Sequence, residues 1–168
     1  KAKQILEEKK LLPIKFTLKV PNSSKIYLDT AQSIKEQLKE VGITVDLEII
    51  EWATWLSDVY TNRKYEASLA GLAGKMEPDA ILRRYTSTYA KNFTNFNNAR
   101  YDALIEEAKR TSNEAKQVEN YKEAQKILAE EQAAIFLMDP NTIIATEKGL
   151  EGFEFYPLPY FNFAKLYF

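Results

Sequence analysis

Residues 68–80, SLAGLAGKMEPDA, set two glycines, a lysine, a glutamate and an aspartate around a proline, directly after a small apolar run. The chemistry available there is non-covalent. Gly71 and Gly74 let backbone approach a bound molecule, Lys75 and Glu77 offer one charge of each sign, and Pro78 starts a helix whose first turn carries Asp79. Covalent chemistry has few other places to reside. The 168 residues contain no cysteine and no histidine, which removes thiol nucleophiles, disulfides, zinc sites of Cys/His type and any imidazole relay. Paired carboxylates are the acid–base equipment that remains. The adjacent pairs Glu106–Glu107 and Glu130–Glu131 lie in helical stretches, where consecutive side chains diverge by about 100°. They read as solvated faces, so no enzyme activity, cofactor or metal site is expected.

Charge narrows the partners further. Lys+Arg total 23 against Asp+Glu 24, so no overall field attracts nucleic acid. No apolar run approaches the roughly 18 residues that span a bilayer. With 45% hydrophobic residues the chain can build a core, and its length fits one domain without an internal boundary.

These loops must be held by regular elements, and periodicity supplies them. KAKQILEEKKLLP opens as a short helix with no capping residue before it, which reads as the interior of a longer protein. IKFTLKVP alternates Ile14, Phe16, Leu18 and Val20 with polar residues, the period of a half-buried strand ended by Pro21. Beyond the loop NSSK, Ala31, Ile34, Leu38 and Val41 recur at helical spacing, with Gly42 at the C-terminal cap position. ITVDLEII returns to period two.

A helix over 52–62, with Trp52, Leu56 and Val59 as its apolar face, and a strand over 67–72 complete a βαβαβ run. The expected class is α/β, a mixed sheet flanked by helices. Farther on, Tyr101, Leu104, Ile105 and Ala108 line one helix face, and Val118, Tyr121, Ala124 and Leu128 another. Asn113 caps the second helix, giving a helical hairpin packed on the sheet. The last third offers two short strands, a turn at Gly149–Gly152 and an aromatic tail, with the prolines of YPLPY opposing a regular element. Asn95, in the turn-prone run NFTNFNN, suits a left-handed residue.

In open α/β sheets, ligands bind beyond the carboxyl ends of parallel strands. The loop after the third strand and PNSSK after the first therefore share one edge. The candidate ligand-binding residues are Asn22, Ser24, Lys25, Tyr27, Trp52, Leu72, Gly74, Lys75 and Glu77.

The segments SIKEQLKEVGITVDLEIIEWATWL, LAGLAGKMEPDAIL and NFTNFNNARYDALIEEAKRTSNEAKQVENYKEAQKILAEEQAAIFL together resemble the C-terminal lobe of the extracellular solute-binding proteins that serve ABC importers for peptides and nickel. The resemblance covers nearly the whole chain. It implies one lobe of a class II periplasmic-binding-protein-like fold, formed by residues 1–156, with 157–168 packing on an N-terminal lobe absent from this sequence. It also implies an extracytoplasmic location, in the periplasm or as a surface lipoprotein, and a membrane permease as partner.

The solute so implied is an oligopeptide or a similar small polar molecule. A non-peptide solute such as a nickel chelate, or a peptide-sensing receptor or adaptor role, are the alternatives. Dipeptide-binding members carry a basic residue at the position of Lys25 that grips the peptide carboxylate, where a lysine gives a point contact instead of a guanidinium fork. They also carry a tryptophan near Leu72 and an aspartate near Lys75 that pairs with the peptide ammonium. Here the tryptophan is missing and the acid is a base, so either Glu77 takes that partner, given a loop one residue shorter, or Lys75 favours a solute with an anionic or carbonyl-rich end or points to water.

Overall fold

The alternation in IKFTLKVP and ITVDLEII, and the apolar stripe between them, build one βαβ unit. The computed structural model describes residues 1–141, 143–156 and 160–168, which fall into two compact units, Lys1–Ala73 and Gly74–Phe168. The sequence carries no composition shift at that join, because the same alanine- and glycine-rich run continues across it.

The first unit contains α1 (Ala2–Glu8), β1 (Ile14–Pro21), α2 (Lys25–Glu40), β2 (Ile43–Ile50), the single turn α3 (Trp52–Thr54) continuing into a π-helix (Trp55–Thr61), and β3 (Ala67–Ser68). The sheet order is β2-β1-β3. β1 pairs in parallel with β2 from Ile14↔Ile43 to Pro21↔Ile50, and with β3 at Leu18↔Ala67 and Lys19↔Ser68. The expected mixed sheet is therefore, among the described residues, entirely parallel. The strand expected over 67–72 stops after two residues. In this register Ala70 would face Pro21, which has no amide to donate.

One face of the sheet is apolar as the spacing predicts. Leu18, Val20, Val45 and Ala31 are buried there, with Phe16, Leu47, Leu28, Ile34 and Leu38 packed around them. Gly42, at φ +88°, closes the turn after α2, and a Cβ there would lie 3.0 Å from Leu12. On the other face Lys19 Nζ lies 3.5 Å from Glu48 and 4.0 Å from Asp58 of the π-helix.

The helix expected over 52–62 exists, but its buried face is not Trp52, Leu56 and Val59. Trp55 and Val59 are buried, while Trp52 and Leu56 are each 38% exposed. The wider π turn, closed by Asn62 N donating to Ser57 O at 2.9 Å, resets the spacing. A hydrogen bond fixes the choice: Trp55 Nε1 donates to Ser68 Oγ at 2.9 Å, and that hydroxyl donates to the Lys19 carbonyl at 2.8 Å.

The second unit contains α4 (Pro78–Leu82), a 3₁₀ turn (Arg83–Tyr85) and the hairpin α5 (Ala99–Arg110) and α6 (Glu114–Glu130). Asn98 and Asn113 accept from the Tyr101 and Lys116 amides and cap the two helices, Asn113 as expected. Tyr101, Leu104, Ile105 and Ala108 meet Tyr121, Ala124, Ile127 and Leu128 in one core with Leu82 and Tyr85. Val118, expected on that face, is 45% exposed. Its neighbour Gln117 faces α5 instead and donates to the Ala108 carbonyl at 2.9 Å.

Buried Asn92 ties the preceding loop together by donating to the Thr86 and Phe96 carbonyls at 3.1 and 2.8 Å. Asn95 has φ 58°, the left-handed turn residue read from the sequence. The two strands expected in the last third do not form among the described residues. An isolated antiparallel bridge, Glu151↔Tyr167, stands in their place, because a strand needs a partner for its amides and carbonyls. Of YPLPY, residues 157–159 lie outside the described residues.

Tyr101 shows how the hairpin is fastened. Its hydroxyl donates to the Leu82 carbonyl at 2.6 Å, and burial, helped by Tyr85, Asp102 and Asp79, raises its pKa above the usual 10.0. Tyr101→Phe is expected to cost about 1 kcal/mol, the net worth of one buried hydrogen bond. The unfolded phenol ionises first, so wild-type stability is intact below pH 10 and falls as pH rises above it. Denaturation of the phenylalanine variant should show a shallower alkaline decline; an identical slope would remove Tyr101 as its cause.

Candidate functional site

Parallel pairing brings the carboxyl ends of β1, β2 and β3 to one edge, so the three segments that follow them leave the sheet together. After β1, the Asn22 amide continues the ladder by donating to the Ile50 carbonyl at 2.9 Å. Its side chain donates from Nδ2 to Glu51 Oε1 at 2.5 Å, joining the end of β1 to the end of β2. Ser24 is the N-cap of α2, with its backbone carbonyl accepting from the Tyr27 amide.

Lys25, expected in the loop, is instead the first residue of α2. It is exposed, and its ammonium sits 2.5 Å from Asp29 one turn along the same helix. Tyr27, also in the first turn, leans on the β3 loop. A Cβ at Gly71 would lie 2.7 Å from its hydroxyl oxygen. Gly71 thus lies against Tyr27, whose ring would have to shift to admit a larger residue there.

Trp52 stacks on buried Trp55, centroids 5.0 Å apart and planes 5° from parallel, with its outer side facing solvent. Leu72 is 43% exposed. The edge of the first unit therefore collects Asn22, Ser24, Lys25, Tyr27, Trp52 and Leu72, and adds Glu51. Glu51 is not among the residues expected from the sequence, although its neighbour Trp52 is. Its signal was position: Glu51 directly follows the second strand.

The remaining candidates belong to the second unit. Gly74 has open space where a Cβ would stand. Lys75 and Glu77 are exposed, and Glu77 caps α4 through its backbone carbonyl, which accepts from Ala80 N at 3.1 Å, without a side-chain capping bond.

Glu106 and Glu107 of α5 are each held by a lysine. Glu106 lies 2.9 Å from Lys109, and Glu107 is paired with Lys116. Those lysine hydrogen bonds hold both carboxyls below the ordinary glutamate range, whereas a proton donor near neutral pH needs a raised one. Among the described residues no group of three or more Asp or Glu could hold a metal ion, and no helix is long and apolar enough to cross a membrane.

The sequence profile of the bacterial extracellular solute-binding proteins, family 5, middle region, matches residues 1–93, more than half of the chain. This chain belongs to that family. The family 5 chain is 31% identical over 145 residues to the oligopeptide-binding protein AppA of Bacillus subtilis, covering 84% of this chain and 27% of that protein. It is 28% identical to the peptide transport periplasmic protein SapA of Haemophilus influenzae, over 99% of this chain and 31% of that protein. The solved structure of Bacillus subtilis AppA in complex with a nonapeptide superposes with a TM-score of 0.78 at 29% identity, covering 92% of this chain and 34% of that one. The architecture is that of a periplasmic-binding-protein lobe, and the family 5 chain spans about a quarter to a third of the length of these relatives.

Proposed function

We propose that this chain forms part of the substrate-binding component of an ABC importer, which captures an oligopeptide or similar small polar solute between two lobes and delivers it to a membrane permease. The observation that carries the reading is the sheet edge itself. Three parallel strands end together, and their following segments place an amide, a carboxylate, a phenol and a half-exposed indole on one rim. Such a rim binds by contact, and lobe closure over it would exclude water and strengthen each polar contact. Family membership and the peptide-binding names of the relatives support the same reading.

Residues 1–156 are the ligand-binding lobe in this proposal, working extracytoplasmically. The tail, with Phe163 73% and Phe168 84% exposed, packs on the other lobe. In the first unit Asn22, Ser24, Lys25, Tyr27, Trp52 and Leu72 are the proposed solute contacts; Gly74, Lys75 and Glu77 are proposed separately as contacts of the second unit.

Native mass spectrometry of the complete two-lobed protein tests the proposal. A retained peptide, and binding of trialanine by calorimetry near micromolar Kd, is the expected result. Half of such a clamp should bind about a thousandfold more weakly, near millimolar, if the binding energy divides evenly. Retention of a metal chelate, with no response to a peptide panel, would overturn the peptide assignment.

A further inference from the structure

We infer that Glu51 is a positioning residue that turns Asn22 into a dedicated hydrogen-bond acceptor, so that the solute group meeting this edge is an N–H or ammonium donor. The inference rests on the function proposed above and deepens it. An asparagine side chain can ordinarily present either its oxygen or its nitrogen, since the two ends of the amide are nearly isosteric. An ionised carboxylate only accepts. With Glu51 Oε1 2.5 Å away, the Asn22 nitrogen must face it, and the amide oxygen is turned away from Glu51. The Asn22 backbone N–H donates to the Ile50 carbonyl at 2.9 Å, which fixes the root of the side chain, and the bond to Glu51 sets its rotation. Both side chains are exposed, so the oriented oxygen is open to a ligand. Glu51 in turn is anchored by its place between the end of β2 and the first turn of α3. The consequence is selectivity by polarity: a donor gains a pre-aimed acceptor, while a carbonyl or carboxylate meets the wrong end of the amide.

Two variants separate orientation from simple fastening of strand ends. Glu51→Gln keeps a hydrogen bond to Asn22 but can both donate and accept, so the amide is free to turn over. In the two-lobed protein, calorimetry with trialanine should show about fivefold weaker binding, the worth of one hydrogen bond, with an unchanged Tm. The exchanged pair Asn22→Asp with Glu51→Gln lets the glutamine donate and leaves an aspartate oxygen facing outward. It should restore affinity to within about twofold.

Wild-type affinity in the Glu51→Gln variant, or equal weakening in both variants, would overturn the inference. The orientation is also read without any solute. The Asn22 side-chain nitrogen resonance should shift between wild type and Glu51→Gln in the absence of solute, and a stationary signal would overturn the inference whether or not trialanine binds. Failure of the wild-type protein to bind any peptide, with the resonance moving as expected, would instead remove the peptide reading and leave the oriented acceptor in place.

Discussion

Trp55→Ala is expected to destabilise the first unit by about 3–5 kcal/mol, the range for emptying a buried aromatic site. Trp55 is 1% exposed and is among the largest fully buried side chains of the chain. The substitution removes three things at once. It takes away the packing beside Val59, the face on which Trp52 stacks, and the indole donor to Ser68 that fastens the π-helix to β3. Beyond its two paired residues, β3 is tied to β1 at the Lys19 carbonyl, which accepts from the Ser68 hydroxyl at 2.8 Å and the Leu69 amide at 3.2 Å.

The control is Trp52→Ala, which removes a 38% exposed ring and leaves the Ser68 bond in place; it should cost less than half as much. Because the chain forms two units, hydrogen exchange at the β1 amides is a cleaner readout than one global melt. A loss below about 1 kcal/mol for Trp55→Ala would show that the π-helix is not what fixes β3 to the sheet.

Gly152→Ala is expected to open the Glu151–Tyr167 bridge, whereas Gly149→Ala should leave it closed. Both glycines have positive φ, +80° and +94°, so each alanine carries a left-handed penalty of about 1–2 kcal/mol. Their surroundings differ. A Cβ at Gly149 meets nothing within 4 Å, but at Gly152 it would lie 1.9 Å from the Lys165 carbonyl oxygen and 2.8 Å from the carbonyl carbon. Backbone cannot rotate away as a side chain does, so residues 165–167 must move. That breaks the reciprocal bonds, Glu151 N to Tyr167 O at 2.9 Å and Tyr167 N to Glu151 O at 3.2 Å. Exchange of those two amides should accelerate strongly in Gly152→Ala and little in Gly149→Ala. Equal protection in both would mean that the bridge does not depend on this close approach.

The sequence was most informative where one period ran uninterrupted. Ile14 to Val20 and Ile43 to Ile49 alternate cleanly, and both strands form; Tyr101 to Ala108 repeats at helical spacing, and that face is buried. It was least informative where a local pattern competed with a distant partner. Trp52 and Trp55 are equally apolar in a window of helix, and Ser68, thirteen residues beyond Trp55, decides which one is buried. Val118 looks like a core residue until Gln117 finds the Ala108 carbonyl on the neighbouring helix. Lys25 looked like a loop lysine, yet α2 begins with it and Asp29 lies within its reach.

The amino-acid order by itself determined the elements and which side chains are available. It contains no histidine or cysteine, and its spacing prescribed strands alternating with helices, whereas the parallel pairing of all three described strands came from the fold. Tertiary structure alone decided how the Asn22 amide is turned. The bond between Asn22 and Glu51 spans 29 residues, exists because β1 and β2 lie side by side in register, and orients an amide that no local pattern could aim. Periodicity is a property of neighbours along the chain, whereas the direction of a hydrogen bond is set by whichever group the fold brings opposite it.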